Sequence, residues 1–438
     1  MDRRNFLKIT AGGAAALALS SCNDAPHAQE NAGGIGGKMA QNYPGTGLLG
    51  FGAMRFPMID NGQGGKIVDQ EKVNEMIDMA LEHGVNYFDT APIYLQGQSE
   101  AALGEALSRH PRDKWFVATK LSNQRPPATR EAGLKMYHAS FENLKVDYID
   151  YYLLHSLSDY SSFKRRFLDT GLMEFLLGER EAGRIRNLGF SFHGPRRGFS
   201  ELMELHEQYH WDFVQIQMNY SDWYAHGGEA SEYMYSELER LGIPVVIMEP
   251  LLGGRLANIP SKLADELLAR DPGSSVASWA FRFCGSYPGI LTTLSGMTYK
   301  EHLEDNLRTF CNFKKLEPSD YDLLEMVALG LEKYSMIDCT ACLYCLPCPY
   351  GIDIPGIIQF YNRHLVEGTY VVSDEQKGFE RIRRAYLTDY DKRVEKFRQA
   401  DHCIGCRQCV PLCPQELEIP DVLHSIADYV ENLKQGKI

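Results

Sequence analysis

Eight of the eleven cysteines lie in two short sets in the last quarter of the chain. The first set is Cys339, Cys342, Cys345 and Cys348, and the second is Cys403, Cys406, Cys409 and Cys413. Both sets end in Cys-Pro, and the second follows the spacing C-x2-C-x2-C-x3-C-P. Cysteine thiolates at this spacing bind iron–sulfur clusters. We therefore predict two [4Fe-4S] clusters, although the first set is one residue shorter before its last cysteine.

Disulfides and zinc are the two other uses that such cysteines could have. Three cysteines at two-residue gaps, repeated twice, form a poor disulfide framework. Zinc sites favour paired C-x2-C knuckles separated by a longer loop, and not a triple run that ends in Cys-Pro. The spacing favours iron–sulfur clusters over both.

The second set resembles the bacterial ferredoxin run, in which the fourth cysteine ligates the other cluster. The resemblance implies two ligand sets: Cys339, Cys342, Cys345 and Cys413 for one cluster, and Cys403, Cys406, Cys409 and Cys348 for the other. Helical patterns cover residues 354–367, 375–399 and 419–433. We expect residues 336–438 to form a mostly helical module similar to the α-helical ferredoxins, preceded by a helical linker at 316–335.

Residues 46–315 alternate short β-rich runs with amphipathic helical patterns. The predicted strands are residues 47–53, 85–89, 115–120, 149–154, 185–191, 213–217, 244–248 and 289–294. One predicted helix has Asp69 as its N-cap and Gly84 at its C-terminal end. Eight such units match the size of a (β/α)8 barrel. A doubly wound sheet competes, but it would carry a glycine-rich fingerprint after its first strand, and none is present. The predicted fold class is therefore α/β, a (β/α)8 TIM barrel with a second, helical domain.

Polar side chains recur where the predicted strands end. In chain order they are Asp89, Lys120, His155, Ser191, Gln215, Glu249 and Ser295. The carboxyl ends of barrel strands meet at one face, and active sites of such barrels lie there. We therefore predict a reaction site at this face.

The motifs around these positions resemble those of the aldo-keto reductases. They are Phe88-Asp89-Thr90-Ala91 with Tyr94, Ala118-Thr119-Lys120, Leu153-Leu154-His155, Gly189-Phe190-Ser191, Gln215-Ile216-Gln217-Met218-Asn219-Tyr220, Glu249-Pro250-Leu251 with Gly253-Gly254, and Glu304-Asp305-Asn306. The resemblance covers the whole predicted barrel. It implies hydride transfer between a nicotinamide cofactor and a carbonyl or alcohol, with Asp89, Tyr94, Lys120 and His155 as catalytic residues.

The chemistry is consistent with these residue types. A carbonyl that accepts hydride needs a proton for its oxygen, and Tyr94 is the expected donor. The pKa of tyrosine is about 10, so a nearby cation is needed to favour the phenolate. Lys120 is the expected cation, held charged by Asp89. His155 is expected to donate a hydrogen bond to the substrate oxygen.

The resemblance also implies contacts to NAD(P)(H). Ser191 and Gln215 should meet the carboxamide of nicotinamide. The run Pro250, Leu251, Gly253 and Gly254 should lie at the pyrophosphate, and Asn306 should reach the adenine. Basic residues expected near the adenosine 2′-phosphate are replaced by Gly296-Met297 and His302, with Lys300 as a weak substitute. The choice between NADP and NAD therefore stays open. A flavin is less favoured, because no phosphate-binding pattern indicates one.

The N-terminal residues resemble a twin-arginine export signal. Arg3 and Arg4 precede Phe6-Leu7-Lys8 and a short apolar stretch at 9–19, and Leu19-Ser20-Ser21-Cys22 resembles a lipobox. We predict a signal at 1–22 with lipidation of Cys22, and a flexible linker at 23–45. An ordinary peptidase site beside an incidental cysteine is the alternative. The protein is expected in the periplasm, or as a membrane-anchored lipoprotein.

The combined patterns predict an exported oxidoreductase with an unidentified redox partner and a small carbonyl or alcohol substrate. The net charge of −13 argues against non-specific nucleic-acid binding. No apolar run reaches the roughly 20 residues of a membrane-spanning helix. The alternative is a non-catalytic barrel that serves as a scaffold for the iron–sulfur module.

Overall fold

The computed structural model describes residues 37–438 except residues 63–64, 125–127 and 225–228, and it leaves the side chain of Glu229 undescribed. The predicted signal at 1–22 and residues 23–36 of the predicted linker lie outside the described residues. The barrel and the C-terminal helices belong to one compact unit.

Ten strands are described, and eight of them close a parallel barrel in the order β1-β10-β9-β8-β7-β6-β5-β4. Their bounds are β1 Leu49–Gly52, β2 Met58–Asp60, β3 Lys66–Val68, β4 Tyr87–Asp89, β5 Phe116–Leu121, β6 Ile149–Leu157, β7 Ile185–Phe192, β8 Phe213–Gln217, β9 Val245–Met248 and β10 Ile290–Gly296. The predicted TIM-barrel fold is confirmed. Each predicted strand overlaps one barrel strand, with end shifts of a few residues.

Helices follow the barrel strands and continue into the C-terminal region. Their bounds are α1 Gln70–Glu82, α2 Ser99–Leu107, α3 Arg130–Leu144, α4 Tyr160–Phe163, α5 Leu172–Glu181, α6 Arg196–Met203, α7 His206–Tyr209, α8 Tyr220–Tyr224, α9 Glu229–Leu241, α10 Ser261–Arg270, α11 Val276–Gly285, α12 Lys300–Cys311, α13 Pro318–Leu331, α14 Ile354–Val366, α15 Phe379–Arg393 and α16 Ile419–Gln435.

Helix α1 shows how local sequence sets these elements. The carboxylate of Asp69 accepts a hydrogen bond from the backbone N–H of Lys72 at 3.3 Å. Gly84 follows the helix with φ at +87°, the left-handed conformation that ends many helices. Between these ends Val73, Ile77 and neighbouring apolar residues are buried. The N-cap and the terminal glycine are as the sequence predicts.

Strands β2 and β3 form an antiparallel hairpin that is not predicted from the sequence. Ile59 and Ile67 face each other in it, and each is 44% exposed. The hairpin buries little apolar surface, so it has no alternating pattern that would reveal it.

Helices α14, α15 and α16 pack around a separate apolar core that includes Ile357, Tyr386 and Leu423. Helix α15 is shorter than the predicted segment 375–399. It cannot begin earlier because Gly378 adopts a left-handed φ of +80°, and it ends before Val394, whose backbone is extended. The C-terminal region is mostly helical, as predicted.

Helix α13 lies within the predicted linker at 316–335 and is attached to the barrel. Arg270 of α10 donates to the buried carboxylate of Asp320 at 2.8 Å, and Arg282 of α11 lies 3.8 Å from the other oxygen. Pro318 opens the helix, where its missing N–H costs nothing. This segment is therefore a packed helix against the barrel wall.

Candidate active site and iron–sulfur module

Asp89 and Lys120 form a buried ion pair at the carboxyl ends of neighbouring strands β4 and β5. The ammonium of Lys120 lies 2.7 Å from each carboxylate oxygen of Asp89 and 2.8 Å from the carbonyl oxygen of Thr90. The side chain of Lys120 is 0% exposed and that of Asp89 is 4% exposed. Burial lowers the pKa of Lys120 and raises the pKa of Asp89, while their mutual attraction opposes both shifts.

Tyr94 lies in the turn after β4 and is buried beside this pair. The ammonium of Lys120 stands 5.0 Å from the centre of the Tyr94 ring, above its face. Burial raises the pKa of Tyr94 well above 10, and the neighbouring Tyr344 and Asp89 add to the shift. The sequence predicts that Lys120 favours the phenolate. In the structure the three donors of Lys120 are used by Asp89 and Thr90, so none of them is directed at the hydroxyl of Tyr94.

His155 lies near the end of β6, with its ring beside Tyr94. The ring centres are 5.9 Å apart in an edge-on arrangement. The Nδ1 atom of His155 lies 2.5 Å from the hydroxyl oxygen of Ser122, and the guanidinium of Arg166 donates to the backbone carbonyl of His155. Burial, followed by the charges of Lys120 and Arg166, holds the pKa of His155 well below 6.5. The imidazole is therefore neutral and carries one N–H.

The remaining nitrogen of His155 faces a residue from the C-terminal region. The hydroxyl of Tyr344 lies 3.1 Å from Nε2 of His155 and is hydrogen-bonded to Tyr94 as well. The structure thus brings Asp89, Lys120, Tyr94 and His155 into one buried network, and adds Tyr344 to it.

Ser191 and Gln215, predicted to meet a nicotinamide carboxamide, lie opposite each other in the paired strands β7 and β8. The hydroxyl oxygen of Ser191 accepts from the N–H of Ser156 at 2.8 Å. The side-chain amide of Gln215 is buried, and its carbonyl oxygen has no hydrogen-bond partner among the described residues. An unpaired buried acceptor is costly, and a carboxamide N–H would satisfy it. This end of the site fits nicotinamide.

The residues predicted at the pyrophosphate lie in the loop that follows β9. Pro250 and Leu251 lead into Gly253 and Gly254, which have φ of +67° and +97°. A Cβ added at Gly253 would lie 2.6 Å from the Cα of Thr340, so the backbone of the C-terminal region already fills this space. A pyrophosphate at Gly253 does not fit while Thr340 is there.

Two further predicted positions lie at the same face without reaching the network above. The amide of Asn306 in α12 donates to the hydroxyl of Ser295 in β10 at 2.8 Å. Glu249, which directly follows β9, is half-buried with φ of +54°, and its carboxylate accepts from the N–H of Gly253 at 2.6 Å. Burial raises the pKa of Glu249, and the charge of Arg55 opposes that shift.

The cysteines of the C-terminal region fall into two groups that mix the two sequence sets. Cys339, Cys342, Cys345 and Cys413 line one cavity together with Ile354 and Ile358. Cys409 lies close enough to Cys403, Cys406 and Cys348 for their charges to interact. This is the grouping that the exchanged fourth cysteine predicts. None of the described cysteines is in a disulfide.

No group of three or more His, Cys, Asp or Glu side chains in the described residues is spaced for a single metal ion. A polynuclear cluster sets its thiolates farther apart, because irons and sulfides lie between them. Six of the eight cysteines also pack against the core of α14, α15 and α16: Cys339, Cys345, Cys348, Cys403, Cys409 and Cys413.

A family profile described as "Aldo/keto reductase family" matches residues 48–328. The chain belongs to the aldo/keto reductase family. A profile for a 4Fe-4S dicluster domain matches residues 338–418 of this chain, and one for a twin-arginine translocation signal matches residues 1–20. The chain therefore carries an export signal and an iron–sulfur domain in addition to its barrel.

Curated relatives are about a quarter identical to this chain within the aligned residues. Aldo-keto reductase AFTS1 of Alternaria alternata is 27% identical over 228 residues, which cover 45% of this chain and 60% of that protein. The chloroplastic pyridoxal reductase of Arabidopsis thaliana is 26% identical over 276 residues, covering 54% and 72%. The chain thus spans less than two thirds of the Alternaria protein.

Solved structures show the same barrel. An aldo-keto reductase from Klebsiella pneumoniae in complex with NADPH aligns with a TM-score of 0.52 at 20% identity, over 65% of this chain and 91% of that one. At this identity the likeness concerns the fold. No described helix of the chain is long and apolar enough to cross a membrane.

The sequence did not predict Tyr344, Ser122 and Arg166 at the candidate site. Ser122 lies two residues beyond Lys120, so its place near the end of a barrel strand was a usable signal. Arg166 lies in the irregular turn after α4, and Tyr344 lies between two cluster cysteines. Neither of these two carries a local pattern that would connect it to the barrel.

Proposed function

We propose that this protein is an exported oxidoreductase that interconverts a carbonyl and an alcohol at the mouth of the barrel. We further propose that its iron–sulfur module exchanges electrons between the barrel and an external redox partner. The single observation that carries the first proposal is the buried network of Asp89, Lys120, Tyr94 and His155. Four residues from the ends of three strands, β4, β5 and β6, meet there.

Each residue has a role that its surroundings support. Tyr94 is a neutral phenol and can donate a proton to a developing alkoxide. His155 is neutral, and a hydroxyl of Ser122 that donates to Nδ1 would leave the proton on Nε2. That N–H can orient and polarise a substrate oxygen. The ion pair of Asp89 and Lys120 keeps a fixed negative and a fixed positive charge beside Tyr94.

A nicotinamide cofactor is the proposed hydride carrier. When bound it would supply or accept the hydride. Ser191 and Gln215 are proposed to bind its carboxamide, because Gln215 has an unfilled buried acceptor. Asn306 is proposed at the adenine, and Pro250, Leu251, Gly253 and Gly254 at the pyrophosphate, once Thr340 has moved. The NADPH complex of the Klebsiella relative supports a nicotinamide in general.

NAD and NADP remain alternatives. Lys300, the predicted substitute for the missing basic residues, lies 3.9 Å from Glu304, so its charge is partly balanced within α12. The substrate is proposed to be a small carbonyl or alcohol. The pyridoxal reductase among the relatives acts, by its name, on an aldehyde, which supports that class.

Two [4Fe-4S] clusters are proposed, bound by the two mixed cysteine groups. Clusters of this kind transfer single electrons. A free pool of NAD(P)H is not expected outside the cytoplasm, so an exported reductase needs another source of electrons. The clusters are proposed to pass electrons from the redox partner to the barrel. Cys22 is proposed to carry a lipid anchor, which would hold the protein at a membrane surface.

The test uses the full-length protein, purified without oxygen. Turnover of aldehydes and ketones, including benzaldehyde, is measured with either NADPH or reduced methyl viologen as donor, and turnover of sugar alcohols in the same panel is measured with NADP⁺ or oxidised methyl viologen as acceptor. We expect Tyr94→Phe to lower kcat/KM by about 10²- to 10⁴-fold, with iron content unchanged. Tyr299→Phe, at a tyrosine of the barrel that is 61% exposed, is the matched control.

Two outcomes would contradict the proposal. A wild-type protein that turns over no compound of the panel with any of these donors or acceptors, like Tyr94→Phe, would leave the barrel as a scaffold for electron transfer. Free turnover with NADPH, together with normal turnover in variants of the cluster cysteines, would contradict electron exchange through the iron–sulfur module. The proposed reductase activity of the barrel would still hold.

A further inference from the structure

The segment from Cys339 to Cys345, which we call the cluster arm, lies on the mouth of the barrel. The guanidinium of Arg55 donates to the carbonyl oxygen of Thr340 at 2.5 Å. Just before the arm, Arg255 forms an ion pair with Asp338 at 2.7 Å. Thr340 lies against Gly253, as described above. The arm therefore binds the barrel face on which the proposed reaction site opens.

Tyr344 is the residue of the arm that contacts Tyr94 and His155. Its ring lies edge-on to His155, with 6.0 Å between the ring centres. Its hydroxyl is hydrogen-bonded to Nε2 of His155 and to the hydroxyl of Tyr94. These are the two groups that the proposed function assigns to the substrate oxygen.

A phenol oxygen and a carbonyl oxygen accept hydrogen bonds in the same way. If His155 and Tyr94 are to hold the oxygen of a substrate, that oxygen needs the place where the hydroxyl of Tyr344 now lies. The two cannot be there together. The hydroxyl of Tyr344 thus occupies the position proposed for the substrate oxygen.

The other end of the arm leads to the same conclusion independently. Thr340 fills the space at Gly253 that is proposed for the pyrophosphate of the cofactor. Two positions expected for two different ligands are both occupied by one seven-residue segment. A single displacement of the arm would open both.

We propose that Tyr344 gates the reaction site: its hydroxyl holds the substrate-oxygen position, and substrate binds by displacing the cluster arm. This inference rests on the proposed function. Cys342 and Cys345 flank Tyr344, and both line the cavity of the first cysteine group. Binding in the barrel and the surroundings of the first cluster are therefore coupled, and the coupling acts in both directions.

The test compares the anaerobic full-length wild type with Tyr344→Phe, which keeps the ring and removes the competing hydroxyl. Tyr350→Phe is the matched control, because Tyr350 lies in the same module and is 48% exposed. The dissociation constant of benzyl alcohol is measured by calorimetry, and the KM of benzaldehyde by turnover. We expect both to fall about three- to tenfold in Tyr344→Phe, since hydrogen bonds of ordinary strength no longer compete.

A second measurement does not depend on turnover. Amide hydrogen exchange of residues 339–345 is followed in the wild type with and without benzyl alcohol. Displacement of the arm predicts faster exchange when the ligand is bound, because the arm loses its contacts with the barrel. Unchanged or slower exchange in this segment on binding would overturn the gate.

The outcomes separate this inference from the proposed function. An active wild type whose Tyr344→Phe variant binds equally or more weakly overturns the gate and leaves the reductase intact. Activity that appears only in Tyr344→Phe supports the gate strongly. Inactivity of both proteins on the whole panel of the previous test, with no binding of benzyl alcohol, contradicts the proposed function, and the gate with it.

Discussion

The ammonium of Lys120 lies 2.7 Å from both carboxylate oxygens of Asp89, and both side chains are buried. With Thr90 as a third acceptor, Lys120 has no donor left for Tyr94. The charge of Lys120 therefore acts on Tyr94 only electrostatically, from above the face of the ring, and its ion pair with Asp89 offsets part of that effect. The pair is the electrostatic centre of the site, and both partners depend on each other to remain charged.

Breaking this pair is expected to destabilise the protein. Lys120→Met leaves the carboxylate of Asp89 buried without a counter-charge, which typically costs about 3–5 kcal/mol of unfolding free energy. Lys114→Met is the matched control, because Lys114 precedes the same strand and its side chain is 68% exposed. Denaturant unfolding measures both. Equal stability of the two variants would contradict the prediction, and adding Asp89→Asn to Lys120→Met should recover part of the loss.

The mixed cysteine groups predict an unusual pattern of iron loss. Cys413→Ala should remove the cluster shared with Cys342, and about four irons per chain should remain. Adding Cys342→Ala should then remove no more iron, because both residues bind the same cluster. Adding Cys406→Ala instead should remove the rest. Iron and sulfide analysis of anaerobic preparations gives the count. The opposite pattern would mean that each cysteine set binds its own cluster.

Gly253 and Gly254 offer a paired test of how the arm binds the barrel. Both have positive φ, so alanine strains the backbone at either position. An alanine Cβ at Gly253 would overlap Thr340, whereas nothing lies within 4 Å of one at Gly254. We expect Gly253→Ala to loosen the arm and to speed hydrogen exchange in residues 339–345. Gly254→Ala should change that exchange much less, and equal effects would mean that backbone strain alone is responsible.

Stability should fall as the pH is lowered below about 6.5. Burial, followed by the charge of Lys120, lowers the pKa of His193 to about 4, so the folded protein keeps this imidazole neutral. Because the unfolded chain binds the proton below about pH 6.5, each such histidine lowers the free energy of unfolding by up to about 1.4 kcal/mol per pH unit as the pH falls. His155 acts in the same direction, because its pKa is also lowered.

The measurement is the melting temperature between pH 7.5 and pH 5.5. His193→Gln should show a smaller decrease over this range than the wild type. His302→Gln, at an exposed position of α12, is the control and should follow the wild type. A decrease as large in His193→Gln as in the wild type would show that His193 is already charged in the folded protein.

Much of this protein follows from its sequence because the determining interactions are local. The β-rich runs, the capping of α1 by Asp69 and the cysteine spacings all involve residues a few positions apart. Strand ends such as Asp89, Lys120 and His155 could be placed at one face, since a parallel barrel brings all its carboxyl ends together. The fold class and the four catalytic candidates were predictable for that reason.

Only the tertiary structure decides how the iron–sulfur module meets the barrel. Tyr344 and His155 are 189 positions apart in the chain, and neither residue type signals the other. The direction of the Lys120 donors, the neutral state of Tyr94 and the place of Thr340 against Gly253 depend on burial and on packing between distant segments. Such contacts leave no periodic or spacing pattern, because they form between surfaces whose shapes exist only after both domains have folded.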